Sequence, residues 1–174
     1  MRNFLSILLL VISFNGYAYI DTLAIPMKDG IVFYEKEYTL DNGAKQDKLY
    51  GRALAWFTKS FQGTEKNIKL ADKKDGKLVA TGAFKVIVSE SGNYYWLKPV
   101  IQITVKDGSY TFQAYDYYEK PIEKGITNDY SKIEYRWRDF RKGKPWSSED
   151  QKLFEGLEQN TLSLMASLEK DMKK

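Results

Sequence analysis

The stretch IQITVKDGSYTFQAY, Ile101 to Tyr115, decides the fold. Asp107-Gly108 divides two runs in which apolar and polar residues alternate, the pattern of two half-buried strands around a tight turn. A two-residue Asp-Gly loop of the primed type pairs Lys106 with Ser109 and sets every rung behind them. Val105 then faces Tyr110, Ile103 faces Phe112 and Ile101 faces Ala114. The rungs between are Thr104 with Thr111 and Gln102 with Gln113, so one face is apolar and the other polar.

Two more turn signals precede this one, Lys74-Asp75-Gly76 and Ser91-Gly92-Asn93, each between runs rich in Val, Ile, Tyr, Phe and Thr. They predict a four-strand antiparallel meander over 67–73, 77–89, 94–106 and 109–118. In the first hairpin a two-residue loop would set Lys73, Ala71 and Lys69 beside Leu78, Ala80 and Gly82. A three-residue loop, 74–76 with Gly76 in the left-handed region, sets Asp72, Leu70 and Ile68 there instead and keeps Leu70 and Ile68 with the core. Pro99 has no N–H to donate, which predicts a bend, a bulge or an edge near Lys98.

Upstream, Ile31 to Tyr38 reads as a strand, and Ala44 to Phe61 carries Leu49, Ala53, Trp56 and Phe57 on a helical stripe. Near the C-terminus Ser147 is a good N-cap, with Asp150 in the first turn. Phe154, Leu157, Thr161, Leu164, Leu168 and Met172 follow as a mostly apolar stripe. Lys170, Lys173 and Lys174 lie where a helix C-terminus favours cations. The expected fold is α+β: an antiparallel sheet of about five strands with two helices packed on one face.

Phe4 to Phe14 is an apolar run behind Arg2, and Gly16-Tyr17-Ala18 puts small residues where a signal peptidase reads, which predicts a cleaved signal over 1–18. The run is too short to span a bilayer, which takes about 20 residues. Removing 1–18 leaves 26 Lys and Arg against 23 Asp and Glu, a net charge of +3, which is not a polyanion binder's balance. The sequence holds no Cys, so an exported fold stands on packing alone and no cysteine can carry a lipid. A periplasmic or secreted protein, not a lipoprotein, is the expectation. It holds no His either, which removes His/Cys zinc sites, thiol nucleophiles and any triad with an imidazole base. The layout is a signal over 1–18, a lead-in over 19–30, the α+β domain over 31–118, an aromatic and basic connection over 119–146 and a C-terminal helix over 147–174.

The order β-α-β-β-β-β-α resembles a family known only as a domain of unknown function with a TATA-binding-protein-like (TBP-like) fold. The pieces that carry the resemblance are Ile25 to Tyr38, Trp56-Phe57 followed by Phe61, Leu70 to Phe84 and Ile103 to Tyr117. It covers roughly residues 25–118. The resemblance implies an exported envelope protein of a Gram-negative bacterium, and it brings no catalytic or ligand residues; the fold by itself implies no function.

Three constellations remain. The stretch from Tyr130 to Trp146 mixes six Lys or Arg with five aromatics, a composition that suits phosphate contact and base stacking. Glu134 and Asp139 dilute its charge, and an exported protein rarely meets nucleic acid. It reads instead as a short strand or ordered connection with Tyr135 and Trp137 buried and its arginines solvated. If it binds, Arg136, Arg138 and Arg141 are the contacts for an anionic lipid head group or acidic glycan. The polar sheet face is the second: Tyr94, Trp96, Lys98, Gln102, Thr104, Thr111, Gln113, Tyr115 and Tyr117 mix aromatic and polar groups able to stack on sugar rings or take a protein partner. The alternative is that Trp96, Tyr115 and Tyr117 only brace the sheet. Third, Glu35 and Glu37 share a strand face, but such pairs are far more often solvated surface than acid and base.

The expected role is therefore a non-catalytic exported binding or interaction module with no cofactor. Its partner would be an envelope protein or a glycan and not a nucleic acid. A small-molecule or lipid carrier with a cavity between sheet and helices, and a carboxylate hydrolase, are the alternatives.

Overall fold

The computed structural model describes residues 25–40, 43–61, 67–123, 128–141 and 147–174, with the side chains of 139–141 excepted; the expected signal lies outside the described residues. Strands β1 (Met27–Lys28), β2 (Ile31–Val32) and β3 (Tyr34–Thr39) lead into helix α1 (Gln46–Ser60). Strands β4 (Ile68–Asp72), β5 (Lys77–Thr81), β6 (Phe84–Ile87), β7 (Tyr94–Lys106) and β8 (Ser109–Ile122) follow. Then come β9 (Ser131–Lys132), α2 (Ile133–Arg141) and α3 (Ser148–Met172).

The architecture is α+β. One antiparallel sheet runs in the order β3-β8-β7-β5-β4, with β6 also on β7 and β9 also on β8, while β1 and β2 form a separate hairpin. The β7–β8 register is the one an Asp107-Gly108 loop dictates, with Lys106 opposite Ser109, Ile103 opposite Phe112 and Ile101 opposite Ala114. Ile101, Ile103, Phe112 and Ala114 are buried. Against them α1 sets Leu49, Ala53, Trp56 and Phe57, and α3 sets Leu153, Phe154, Leu157 and Leu168.

Hydrogen bonds join the tip of the β7–β8 hairpin to the start of α1. Lys45, at the N-cap, offers no side-chain cap of its own. Asp107 supplies it from across the fold, accepting from the Gln46 N–H at 2.8 Å and from Lys45 Nζ at 2.8 Å. These bonds hold the Asp107 carboxyl below its ordinary range. Helix α3 caps itself: Ser147 Oγ accepts from the Asp150 N–H, and Asp150 Oδ2 accepts from the Ser147 N–H.

Pro99 explains the break between β5 and β6. Both strands keep one register along β7, with Thr81 opposite Val100 and Phe84 opposite Leu97, so Gly82 falls opposite Pro99. The proline has no N–H for the ladder, and one bond survives there, from the Gly82 N–H to the Pro99 carbonyl at 3.2 Å.

Several expectations change. Ile31 to Tyr38 is two strands, because Ile31 and Val32 turn back onto Lys28 and Met27. In the first hairpin Asp72 pairs with Lys77 and Leu70 with Val79, so the loop has four residues, 73–76, and not three. Asp72 Oδ1 accepts the Asp75 N–H inside that loop, which stabilises the longer turn. Leu70 consequently faces outward and is 43% exposed, and only the register shift between Ile68 and Leu70 returns Ile68 to the core side. The 130–146 segment supplies the expected short strand, β9, and then a third helix, α2, that was not expected. Its Trp137 is buried against Phe154, but Tyr135 is exposed.

Gly156 marks the closest approach of α3 to the sheet. A Cβ there would lie 2.4 Å from Val86 Cγ1. Gly156→Ala gains about 1 kcal/mol of helix propensity but loses about 1–3 kcal/mol to overpacking. A net loss is expected by urea denaturation, and Val86→Ala in the same chain should recover part of it.

Candidate functional site

The face turned away from the helices is built rung by rung. One rung runs Glu37, Thr111, Thr104, Lys77, Asp72, and the next Glu35, Gln113, Gln102, Val79, Leu70. Gln102 Nε2 donates to Gln113 Oε1 at 2.8 Å across the central pair. Glu35 and Glu37 stay exposed with neutral residues opposite them, as solvated surface acids do. On the following rung Tyr115 stacks on Phe33, with ring centres 5.9 Å apart.

Beyond Tyr115 the face changes phase. Val100 pairs with Tyr115 but Lys98 pairs with Tyr118, so β8 carries one surplus residue opposite Pro99. Asp116 adopts φ 49° at this bulge, a left-handed conformation that Asp tolerates better than most residues. The half-step turns Tyr117 to the helix side, fully buried, and brings Tyr118 and Lys120 outward. Tyr117 therefore leaves the expected binding face. Its hydroxyl lies 2.8 Å from Thr161 Oγ1, whose own proton goes to the Leu157 carbonyl, so the tyrosine donates. Burial pushes the Tyr117 phenol up.

The other expected face residues keep their places. Trp96 is 36% exposed, Lys98 is exposed, and Tyr94, Gln102, Gln113 and Tyr115 are half-buried. Lys85 Nζ sits 3.9 Å from the Tyr94 ring centre, and Tyr94 meets Trp96 edge to face. They do not close into one pocket. A half-open cleft of about 450 Å³ forms instead where the bulge steps the sheet. Its floor is Thr81, Lys98, Val100 and Tyr118, and its walls are Asn67 and Lys69 before and in β4, Asp116, and Tyr130. Of these only Lys98 was expected as a site residue.

Cations crowd the cleft. Lys98 Nζ and Lys120 Nζ lie 5.6 and 5.7 Å from the Tyr130 ring centre, and Lys132 Nζ lies 6.0 Å from that of Tyr118. Lys132 Nζ forms an ion pair with Asp116 Oδ1 at 3.8 Å.

Two of the three arginines expected to meet an anion, Arg136 and Arg138, can be followed in the described residues, and Arg136 is not free to do so. Arg136 is spent internally: Nε and Nη2 reach both Glu119 oxygens at 3.1–3.2 Å, and Nη1 reaches Asp150 Oδ1 at 2.7 Å. Its guanidinium lies 5.0 Å from the Tyr95 ring centre. The physical reason is burial. Glu119 is only 4% exposed and a buried carboxylate requires a partner. Arg138 is exposed on α2 near Gly30, and the Arg141 side chain lies outside the described residues.

Residues 34–119 match the family described as a domain of unknown function (DUF4468) with TBP-like fold. Among solved structures the chain is similar to a TBP-like protein from Parabacteroides distasonis ATCC 8503, at 17% identity over 83% of this chain and 97% of that one, with a TM-score of 0.60. It is similar as well to a DUF4468 family protein from Bacteroides ovatus ATCC 8483, at 17% identity over 83% and 90%, with a TM-score of 0.61. At that identity the likeness is one of fold. It reaches beyond residues 34–119 into elements that the family match leaves out. None of the curated proteins matches the chain.

Proposed function

Residues 34–119 form a domain of the DUF4468 family, a premise that supplies a fold and no activity, so we propose from the surface that the protein is an exported, non-catalytic binding module. It takes its ligand or partner on the open face of the sheet. The observation that carries this reading is the stepped cleft beside Lys98, a concave polar site among aromatic side chains on the face that the helices leave uncovered. The helix side is filled by large buried side chains such as Trp56, Phe112, Tyr117 and Phe154. Export rests on the apolar run and small residues before Tyr19, and the absence of catalysis on a sequence without His or Cys.

The test is affinity capture by the mature protein from its native envelope, with lipids, glycans and proteins all identified. Trp96→Ala combined with Tyr115→Ala should reduce capture of the main partner by about tenfold or more, given that aromatic anchors carry most binding energy. Undiminished capture by the double variant rejects the open face as the binding surface.

A further inference from the structure

We infer that the stepped cleft is a subsite for an acidic sugar, a saccharide ring bearing a carboxylate; this rests on the open face being the binding surface. Charge argues for the anion. Lys69 and Lys98 line the cleft, and neither has a carboxylate within ion-pair distance among the described residues. Lys120 stands beside the same Tyr130 wall. An entering carboxylate therefore finds ammonium groups that no acid among the described residues pairs.

Ring chemistry argues for the sugar. Tyr130 is 42% exposed and Tyr118 half-buried, so the cleft offers aromatic surface to the apolar C–H side of a saccharide. Asn67 can both donate and accept, and Thr81 adds a hydroxyl. Asp116 decides against phosphate. It is an acceptor-only group in the lining, ion-paired with Lys132 at 3.8 Å and with no other ion pair among the described residues. A phosphate dianion, charged on every side, would meet that carboxylate as a like charge, whereas a uronate can turn its own carboxylate to the lysines and its hydroxyls to Asp116. The volume, about 450 Å³, falls within the roughly 300–1,000 Å³ of small-molecule sites, and the open side leaves room for a chain to continue.

The experiment titrates the mature protein with trigalacturonic acid, with maltotriose as the neutral counterpart and with inorganic phosphate, read by amide and side-chain NMR shifts. Trigalacturonic acid should bind about tenfold or more tighter than maltotriose, with shifts at Thr81, Lys98 and Tyr130. Lys98→Glu should weaken it about tenfold while leaving the circular dichroism spectrum unchanged, and Lys69→Glu should act in the same direction. Equal binding of maltotriose, displacement by phosphate at equal concentration, no binding up to about 10 mM, or binding indifferent to both lysine variants each overturns the assignment. The two readings fail separately. If trigalacturonic acid does not bind but envelope capture still depends on Trp96 and Tyr115, only the sugar is wrong; if capture ignores those residues, the open face itself is wrong.

Discussion

Arg136→Ala is expected to cost about 3–5 kcal/mol of stability at neutral pH, because it strands Glu119 as an unpaired buried charge. The guanidinium ties three elements together: Glu119 on β8, Asp150 in the first turn of α3, and its own helix α2. Without it Glu119 keeps, among the described residues, only the Ser131 hydroxyl, at 3.4 Å. Burial already pushes the Glu119 carboxyl above its ordinary range, against the opposing pull of Arg136. The variant should therefore protonate Glu119 more readily still. A carboxyl whose folded pKa lies above its unfolded one favours folding below the unfolded value and loses that contribution as pH rises through the folded value. The deficit relative to wild type should accordingly be largest at neutral pH and shrink toward the acid range. Urea denaturation of both proteins at matched pH measures it. Replacing both partners, Arg136→Met with Glu119→Leu, should restore most of the loss. A single-variant loss under about 1 kcal/mol would mean that the pair behaves as an ordinary surface ion pair.

Raising the pH above 10 should unfold the protein cooperatively. Tyr34, Tyr110 and Tyr117 are buried, and desolvation pushes all three phenols up. The hydroxyls of Tyr34 and Tyr110 have no hydrogen-bond partner among the described residues, so nothing close by would stabilise a phenolate. The sign follows from their order. The unfolded chain ionises near 10 while the folded one does not, so stability is intact below that value and falls as pH rises toward the folded pKa. Each phenol contributes about 1.4 kcal/mol per pH unit, roughly 4 for the three, against a total stability of about 5–15 kcal/mol. Phenolate absorbance from these residues should appear together with loss of the native circular dichroism. Its appearance in a protein that stays folded would contradict the argument, and Tyr110→Phe should flatten the dependence by about one phenol's share.

How far the sequence alone reaches depends on whether a signal is local. The Asp107-Gly108 hairpin, the α1 stripe and the Ser147 cap are read correctly because turn chemistry and side-chain period act within a few residues. The Asp29-Gly30 turn, with φ of 53° and 77°, carries the same signal, yet it falls in the lead-in over 19–30, where no turn is read. The half-step at Asp116 is signalled only from across the ladder, by Pro99, which predicts a bulge near Lys98 without naming the strand that carries it. Tyr115, Tyr117 and Tyr118 are all tyrosine, a residue at home in core or on surface, so the alternation gives no warning. Helix α2 carries Ile133, Trp137 and Phe140 at helical spacing, but over only nine residues rich in charge. It buries Glu134, which accepts the Val32 N–H at 2.9 Å, and half-buries Arg136 through partners far away in the chain. The cleft draws on residues from four strands and two connections, and no spacing rule gathers them.

The surplus residue in β8 makes that strand a ruler with two scales offset by half a division. Running β8 on as a regular ladder with Asp116 kept would reverse the second scale, sending Tyr118 and Lys120 toward α3 and casting Tyr117 and Glu119 out into water. The lower wall of the cleft and the anchorage of α2 thus share a single point of origin, and a lineage could not keep one while shedding the other.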